Sequence, residues 1–499
     1  MQPSPVDPLA EDAPVPSGSI RDRVIEGSLL LVGLRWSMRA LNIVRTIVLA
    51  RFLAPADFGV FGMAMLASQP FQLLTAMDLD LALIRHRSTA RADFDTAWTC
   101  RALQRLAVAA AMLLIAPLAA AYFATPELTT VVPAVALGVA IAAFENIGVV
   151  TFRKDLDFHK EFGFNALVAL LTLALTVVVA VLTRNYWALV LSVIGERLMT
   201  TILSYVWHPY RPHVAFSAFR KLWSFGQWVP MQNLGVYVRN HFDAFLVARL
   251  FGAARMGAYN VAGSAAGVAA ELLAPVSTTL FPGYARVAHD PARLTHAYID
   301  ALGMLASLFV PATIGIVLLA PTFVPAVLGA QWVVAVPIVQ ALAVFNGING
   351  LSATVGHVLM ALGRMRRLTV VIFGQLLLYV PALLAAALLG DPLGMALVRA
   401  AVALVVAPFL FGALTGLALV HGRDIARALW RPVIASAVMA AAIVLVRASL
   451  PAQGLLSLGA QVATGLACYA ASLTLVWLAA GRPLGAERTA VEWLVRYLY

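Results

Sequence analysis

About fourteen apolar stretches, each near the ~20 residues that a bilayer-crossing helix needs, recur along this 499-residue chain, and the connections between them are short. Six fall between about residues 29 and 207, six between about 223 and 420, and two between about 431 and 480. In lipid every backbone polar group must be satisfied within the spanning segment, so these stretches are expected to be helices. Only 12% of the residues are charged against 62% hydrophobic, which excludes an ordinary soluble enzyme. The expected fold class is an all-α polytopic membrane protein.

The net charge of +11 does not point to nucleic acid, because the basic residues sit in short connections between apolar spans. One set of connections carries Arg85, Arg87, Arg91 and Arg101, then Arg153, Lys154 and Lys160, then Arg211, Arg220 and Lys221, and later Arg364, Arg366 and Arg367. The opposite set holds only Arg184 and Arg255. This asymmetry places both termini in the cytoplasm of a multi-pass protein of the bacterial inner membrane. Residues 1–27 read as a disordered cytoplasmic tail without the pattern of a cleaved signal peptide, and 481–499 as an amphipathic cytoplasmic tail. Neither Walker A, nor a GxGxxG opening a helix after a strand, nor HExxH occurs, and Cys100 and Cys468 lack metal-type spacing. No catalytic residue, cofactor or metal is therefore expected. His208 and His213, in HPYRPH, read as part of a solvated basic linker over 208–222.

The chain repeats itself. LARFLAPADFGVFGMA at 49–64 aligns without a gap on VARLFGAARMGAYNVA at 247–262, so that Arg51 meets Arg249, Gly59 meets Gly257 and Phe61 meets Tyr259. An even number of spans in each copy gives both the same orientation, as in parallel-repeat transporters. Two six-helix lobes, 28–207 and 223–420, are expected, followed by two accessory helices over 421–480 that are nearly devoid of polar side chains.

Polar residues inside spans mark a pathway or a pairing. The first span carries Arg35, Arg39, Asn42 and Arg45, which at helical spacing fall within an arc of roughly 120° and form one stripe. An arginine at mid-membrane costs about 2.5–3.5 kcal/mol on insertion scales, so the stripe must line a water-filled cavity or pair inside the bundle. Two readings stand: attraction of an anionic substrate, or pairing of some arginines with Asp78 and Asp80 or snorkelling to the interface. Arg35 and Arg39 lie about 10–16 Å along the helix from Ser28. The seventh span carries Gln232, Asn233, Arg239 and Asp243, with Arg239 and Asp243 spaced to pair. Asp78, Asp80, Asp243 and Glu271 are the candidate carriers of a coupling proton or sodium ion. Glu196–Arg197 reads as an interfacial pair near a helix end, while Glu145 and Arg399 stay undecided. Gly263/Gly267 and Gly412/Gly416 have the spacing for close helix contact, and Pro337 is one of several prolines expected to kink a span.

Several stretches in series carry a resemblance: LARFLAPADFG at 49–59, FRKDLDF at 152–158, YRPHVAFSAFRKLWSFG at 210–226, RNHFDAFLVARLFGAARMGAYNVA at 239–262, LFPGYARV at 280–287, VLGAQW at 327–332 and ALGR at 361–364. Together they resemble the polysaccharide transporter branch, the Wzx-type flippases, of the multidrug/oligosaccharidyl-lipid/polysaccharide flippase superfamily. The resemblance covers roughly residues 28–420. It implies two six-helix lobes around a central cavity and movement of undecaprenyl-diphosphate-linked oligosaccharide units across the membrane by alternating access, beside a polymerase and export machinery. The family's glycine-rich turn after the second helix is replaced here by Asp78-Leu79-Asp80-Leu81. Spans beyond twelve keep a resemblance to lipid II flippases in view, and an ion-coupled drug exporter shares the fold. Drug exporters of that fold present acidic, aromatic cavities, which the arginine stripe opposes; the short outer loops oppose a membrane-embedded polymerase.

Overall fold

The computed structural model describes residues 20–74, 91–155, 157–217, 229–388, 390–415, 420–449 and 454–481, and among them every regular element is helical. The helices are α1 (Ile20–Phe52), α2 (Pro55–Leu74), α3 (Arg91–Phe123), α4 (Leu128–Ala142), α5 (Val150–Lys154), α6 (Phe158–Thr183) and α7 (Trp187–Trp207). There follow α8 (Val229–Val287), α9 (Pro291–Phe323), α10 (Val336–Ala361), α11 (Met365–Ala387), α12 (Pro392–Thr415), α13 (Gly422–Ser449) and α14 (Leu455–Ala479). Among the described residues nine helices are long and apolar enough to cross a membrane, or ten if α4 and residues 147–154, bent by 70°, form one span. The expected fourteen are not reached on that measure. α1, α2 and α8 are long enough but are not among the nine; α1 carries Arg35, Arg39, Arg45 and Arg51, and α8 is interrupted at Gly252. α1 also starts earlier than the sequence suggested, so residues 20–27 are helix rather than tail.

Local chemistry sets the ends. Asp157 accepts from the Lys160 N–H and starts α6, and Asp290 accepts from the Ala292 and Arg293 N–H groups ahead of Pro291 in α9. Pro337 sits in the first turn of α10, after a 3-10 stretch over Ala330–Ala335, so it opens a helix where a kink within a span was expected.

The chain forms two compact units, Met1–Gly257 and Ala258–Tyr499. In the first, α1 packs along α6, α6 on α7, and α4 against α2, α3 and α7. Outward faces carry leucines and valines such as Leu114, Leu182 and Val206, a surface suited to lipid and not to water. Lipid tails are as apolar as leucine, so helix association there depends on close packing and interhelical hydrogen bonds.

One contact in this unit shows the repeat in three dimensions. The break after α1 at Leu53–Ala54 has its counterpart at Gly252, where φ is 76° and the helix of α8 is interrupted. The helices that resume after the two breaks cross. A Cβ on Gly59 would lie 1.7 Å from the carbonyl oxygen of Ala253, and one on Gly257 would lie 1.7 Å from that of Pro55. Pro55 aligns with Ala253 and Gly59 with Gly257, so the two close approaches at this crossing involve equivalent positions of the repeat. Among the described residues the close approach expected at Gly412 is absent, with nothing within 4 Å of its would-be Cβ, and Gly263 meets only Leu342 at 4.0 Å, while Gly416 lies outside the described residues.

In the second unit α9 packs against α10, α13 and α14, and α12 against α10 and α11. The last two helices are less bare than the sequence suggested. Fully buried Gln461 of α14 donates to Ser457 Oγ at 3.0 Å and meets Thr322 Oγ1 of α9 at 3.4 Å, and the Tyr469 hydroxyl donates to the Ser307 carbonyl at 2.6 Å. Ser472 Oγ donates to the Ala435 carbonyl of α13 at 3.3 Å. These bonds join α13 and α14 to the unit.

Candidate functional site

α1 is one unbroken helix from Ile20 to Phe52, so Arg35, Arg39, Asn42 and Arg45 keep a common phase along it. Arg39 and Arg45 are half-buried and Asn42 is exposed, while the Arg35 side chain lies outside the described residues. Arg45 Nη1 donates to Glu196 Oε2 of α7 at 3.0 Å. Glu196, expected to pair with its neighbour Arg197, is thus the partner of an arginine on another helix. Asp78 and Asp80, the alternative partners of the stripe, lie outside the described residues.

On α8, Arg239 Nε donates to Asn240 Oδ1 at 3.3 Å, and Asp243 is fully buried. The Gln232 and Asn233 side chains lie outside the described residues. Aromatic rings gather along the same stretch of α8. Tyr237 lies 4.4 Å from the ring of His241 and donates its hydroxyl to the Leu66 carbonyl at 3.1 Å, and Phe245 stacks on Phe123 at 6.2 Å. Glu271 is exposed further along α8. Arg399 of α12 lies over the Phe345 ring at 4.3 Å, a cation–π contact.

Glu145 has a structural setting that the sequence left open. The bend after α4 frees backbone carbonyls inside the bundle, and each must find a donor. Arg101 Nη2 donates to the Glu145 carbonyl at 2.8 Å, Trp98 Nε1 to the same carbonyl at 3.1 Å, and Arg105 to the Ala142 carbonyl. Arg105 also pairs with the Glu145 carboxylate at 2.8 Å. Arg101, expected in a cytoplasmic connection, is therefore a buried residue of α3 that holds the bend. Reasoning from the sequence missed Arg105. Its spacing of one turn from Arg101 was visible, but the carbonyls it meets exist only because α4 breaks.

In the described part of the linker expected over 208–222, residues 208–217, two side chains are buried where a solvated stretch was expected, and residues 218–222 lie outside the described residues. His208 and Tyr210 are buried against α3 and the turn at 146–151. Asn146 Nδ2 donates to the Tyr210 carbonyl at 2.7 Å, the Tyr210 hydroxyl donates to Asp95, and the His213 N–H donates to Asp95 Oδ1 at 3.0 Å. Gly148 leaves room for the His208 ring, since a Cβ there would lie 2.2 Å from Nδ1. His208 Nδ1 accepts from the Tyr210 N–H at 3.1 Å and Nε2 faces Thr151 Oγ1 at 3.2 Å, which fits the neutral imidazole protonated at Nε2.

Burial, helped by Arg211 and Lys160, pushes the His208 pKa below its ordinary 6.5. The unfolded segment then binds more protons than the folded one, so this contribution is complete above about pH 6.5 and is lost as pH falls through the depressed folded value. Amide exchange over residues 208–215, corrected for intrinsic rates, should rise severalfold between pH 7.5 and 5.5, and His208→Gln should flatten that dependence. Equal pH responses in both proteins would contradict this account of the segment.

Residues 48–337 match the family of polysaccharide biosynthesis proteins, more than half of the chain. The protein belongs to that family. Among its relatives, the lipopolysaccharide biosynthesis protein WzxC of Escherichia coli strain K12 is 23% identical over 361 residues, covering 69% of this chain and 71% of its own. The succinoglycan biosynthesis transport protein ExoT of Rhizobium meliloti strain 1021 is 23% identical over 313 residues, covering 62% of this chain and 63% of its own. The lipid II flippase MurJ in an inward closed conformation has a similar fold, with a TM-score of 0.67 over 92% of this chain and 100% of its own. At 13% identity that likeness is one of fold alone. The polysaccharide biosynthesis family thus meets the resemblance carried by the quoted stretches, and the fold class is the expected one.

Proposed function

We propose that this family member is a flippase that carries an undecaprenyl-diphosphate-linked oligosaccharide repeat unit from the inner to the outer leaflet of the bacterial cytoplasmic membrane, by alternating access, for assembly of an exported polysaccharide. The observation that carries this reading is the half-buried arginine face of α1, with Arg39 and Arg45 on one unbroken helix of a polysaccharide biosynthesis protein. A guanidinium matches phosphate oxygens in charge and in fork geometry, so such a face suits a diphosphate and opposes a cationic drug. In this reading Arg35, Arg39, Asn42 and Arg45 receive the diphosphate, and Gln232, Asn233 and Arg239 meet sugar hydroxyls. Both termini are cytoplasmic, lobes 28–207 and 223–420 alternate, and a polymerase and export machinery take up the product. Asp243 and Glu271, with Asp78 and Asp80, are the acids that would carry a coupling proton or sodium ion. Catalysis is no part of the reading.

Deleting the gene should stop polymer export and leave a polyprenyl-diphosphate-linked repeat unit accumulating in the lipid extract. Undiminished export, with only drug sensitivity changed, would favour the exporter reading and overturn this one.

A further inference from the structure

We propose that Glu196 is a positioning residue for Arg45, an internal anion that holds the Arg45 guanidinium while no substrate is bound and yields it to the substrate's diphosphate. The inference rests on the reading of α1 as the diphosphate-binding helix.

Two carboxylates of the first unit, Glu145 and Glu196, contrast. Glu145 is caged: its side chain is 16% exposed, Arg105 holds its carboxylate, and its own carbonyl takes donors from Trp98 and Arg101 at a helix bend. Removing it would disturb the bend. Glu196 lies within the regular helix α7, at no break, with its side chain 40% exposed. Among the described residues its carboxylate makes one bond, to Arg45, whose side chain is 29% exposed. Among the described residues Glu196 is the only partner of Arg45. A guanidinium has five N–H donors, so a single bond leaves the fork open to a second anion.

Part-exposed pairs of this kind are weak and exchangeable. A diphosphate brings more charge than one carboxylate and accepts two parallel bonds from the fork, so it wins the exchange when present. When it leaves, Glu196 recovers Arg45. The carboxylate spares the empty site an uncompensated arginine and keeps the filled site from holding its load too tightly. It also spans helices, since α1 packs along α6 and α6 on α7, so the pair ties α1 to α7 only while the site is empty.

The test is binding of farnesyl diphosphate, a short polyprenyl diphosphate, to the purified full-length protein, together with polymer output per molecule of folded protein in cells. Glu196→Gln should tighten farnesyl diphosphate binding at least threefold and lower polymer output. Adding Arg45→Ala should erase that gain. The charge-swapped pair Arg45→Glu with Glu196→Arg should restore the amount of folded protein but not export, and it serves should Glu196→Gln fold poorly. Weakened binding in Arg45→Ala with wild-type binding in Glu196→Gln, or full export by the charge swap, overturns this inference alone. Unchanged binding in both Arg39→Ala and Arg45→Ala overturns the reading of α1 and this inference with it.

Discussion

Replacing Gly59 or Gly257 with alanine is expected to remove most of the folded protein from the membrane. Each added Cβ would lie 1.7 Å from a backbone carbonyl oxygen, where real Cβ atoms stay beyond 3.0 Å. No rotamer change relieves a clash with backbone, so the crossing helices must separate by more than an ångström. Overpacking a tight contact costs about 1–3 kcal/mol and occasionally more, and opening a backbone-to-backbone crossing belongs at the upper end. The two substitutions act on one crossing. A single separation accommodates both, so the double variant should cost less than the sum of the two, as expected for coupled sites. Gly412→Ala, with nothing within 4 Å, is the control and should leave the protein at normal abundance. Folded protein recovered by size-exclusion chromatography after mild detergent extraction reads all four. Wild-type recovery of Gly59→Ala and Gly257→Ala would refute the close crossing.

Replacing Arg39 with alanine is expected to abolish polymer export while the protein still inserts at normal abundance, and Arg35→Ala with Arg39→Ala should be at least as severe. Arg39 is half-buried on the stripe, and the first helix keeps it in phase with Arg45. If its task is to meet substrate charge, Arg39→Lys should retain part of the output, because the charge persists while the bidentate fork is lost. A structural arginine gives another pattern: less folded protein, with normal output from each surviving molecule. Polymer output divided by folded protein separates the two. Normal output per molecule in the double variant would move the search for the binding site to Arg239 on α8.

The sequence made the spans legible because periodicity and length are local properties. The phase of the arginine stripe was readable for the same reason. The partners of those arginines were not. Glu196 lies 151 residues from Arg45, and only the packing of α1, α6 and α7 brings them together. The segment HPYRPH read as solvated because its own residues are polar and basic. Its His208 and Tyr210 are buried, and Asp95, 115 residues before Tyr210, and Asn146 supply the bonds that the Tyr210 hydroxyl and backbone need. The chain from α4 to residue 154 falls among the six spans expected between about 29 and 207, yet it bends by 70° where Arg101 and Arg105 take up the freed carbonyls. The glycine alignment between the two copies held the crossing of Gly59 and Gly257 in plain view, but small-residue spacing drew attention to Gly412 and Gly263 instead. That spacing measures what a helix permits, not what its neighbour does.

The most direct measurement of the central claim is the sidedness of the lipid-linked oligosaccharide. Sealed spheroplasts lacking the gene are treated with a membrane-impermeant sugar label, and the labelled fraction of the polyprenyl-diphosphate-linked unit is compared before and after re-expression. The predicted result is an accumulated unit shielded from the label, which becomes accessible with the wild-type protein and stays shielded with Arg39→Ala. A unit equally accessible in cells lacking the protein would contradict the account.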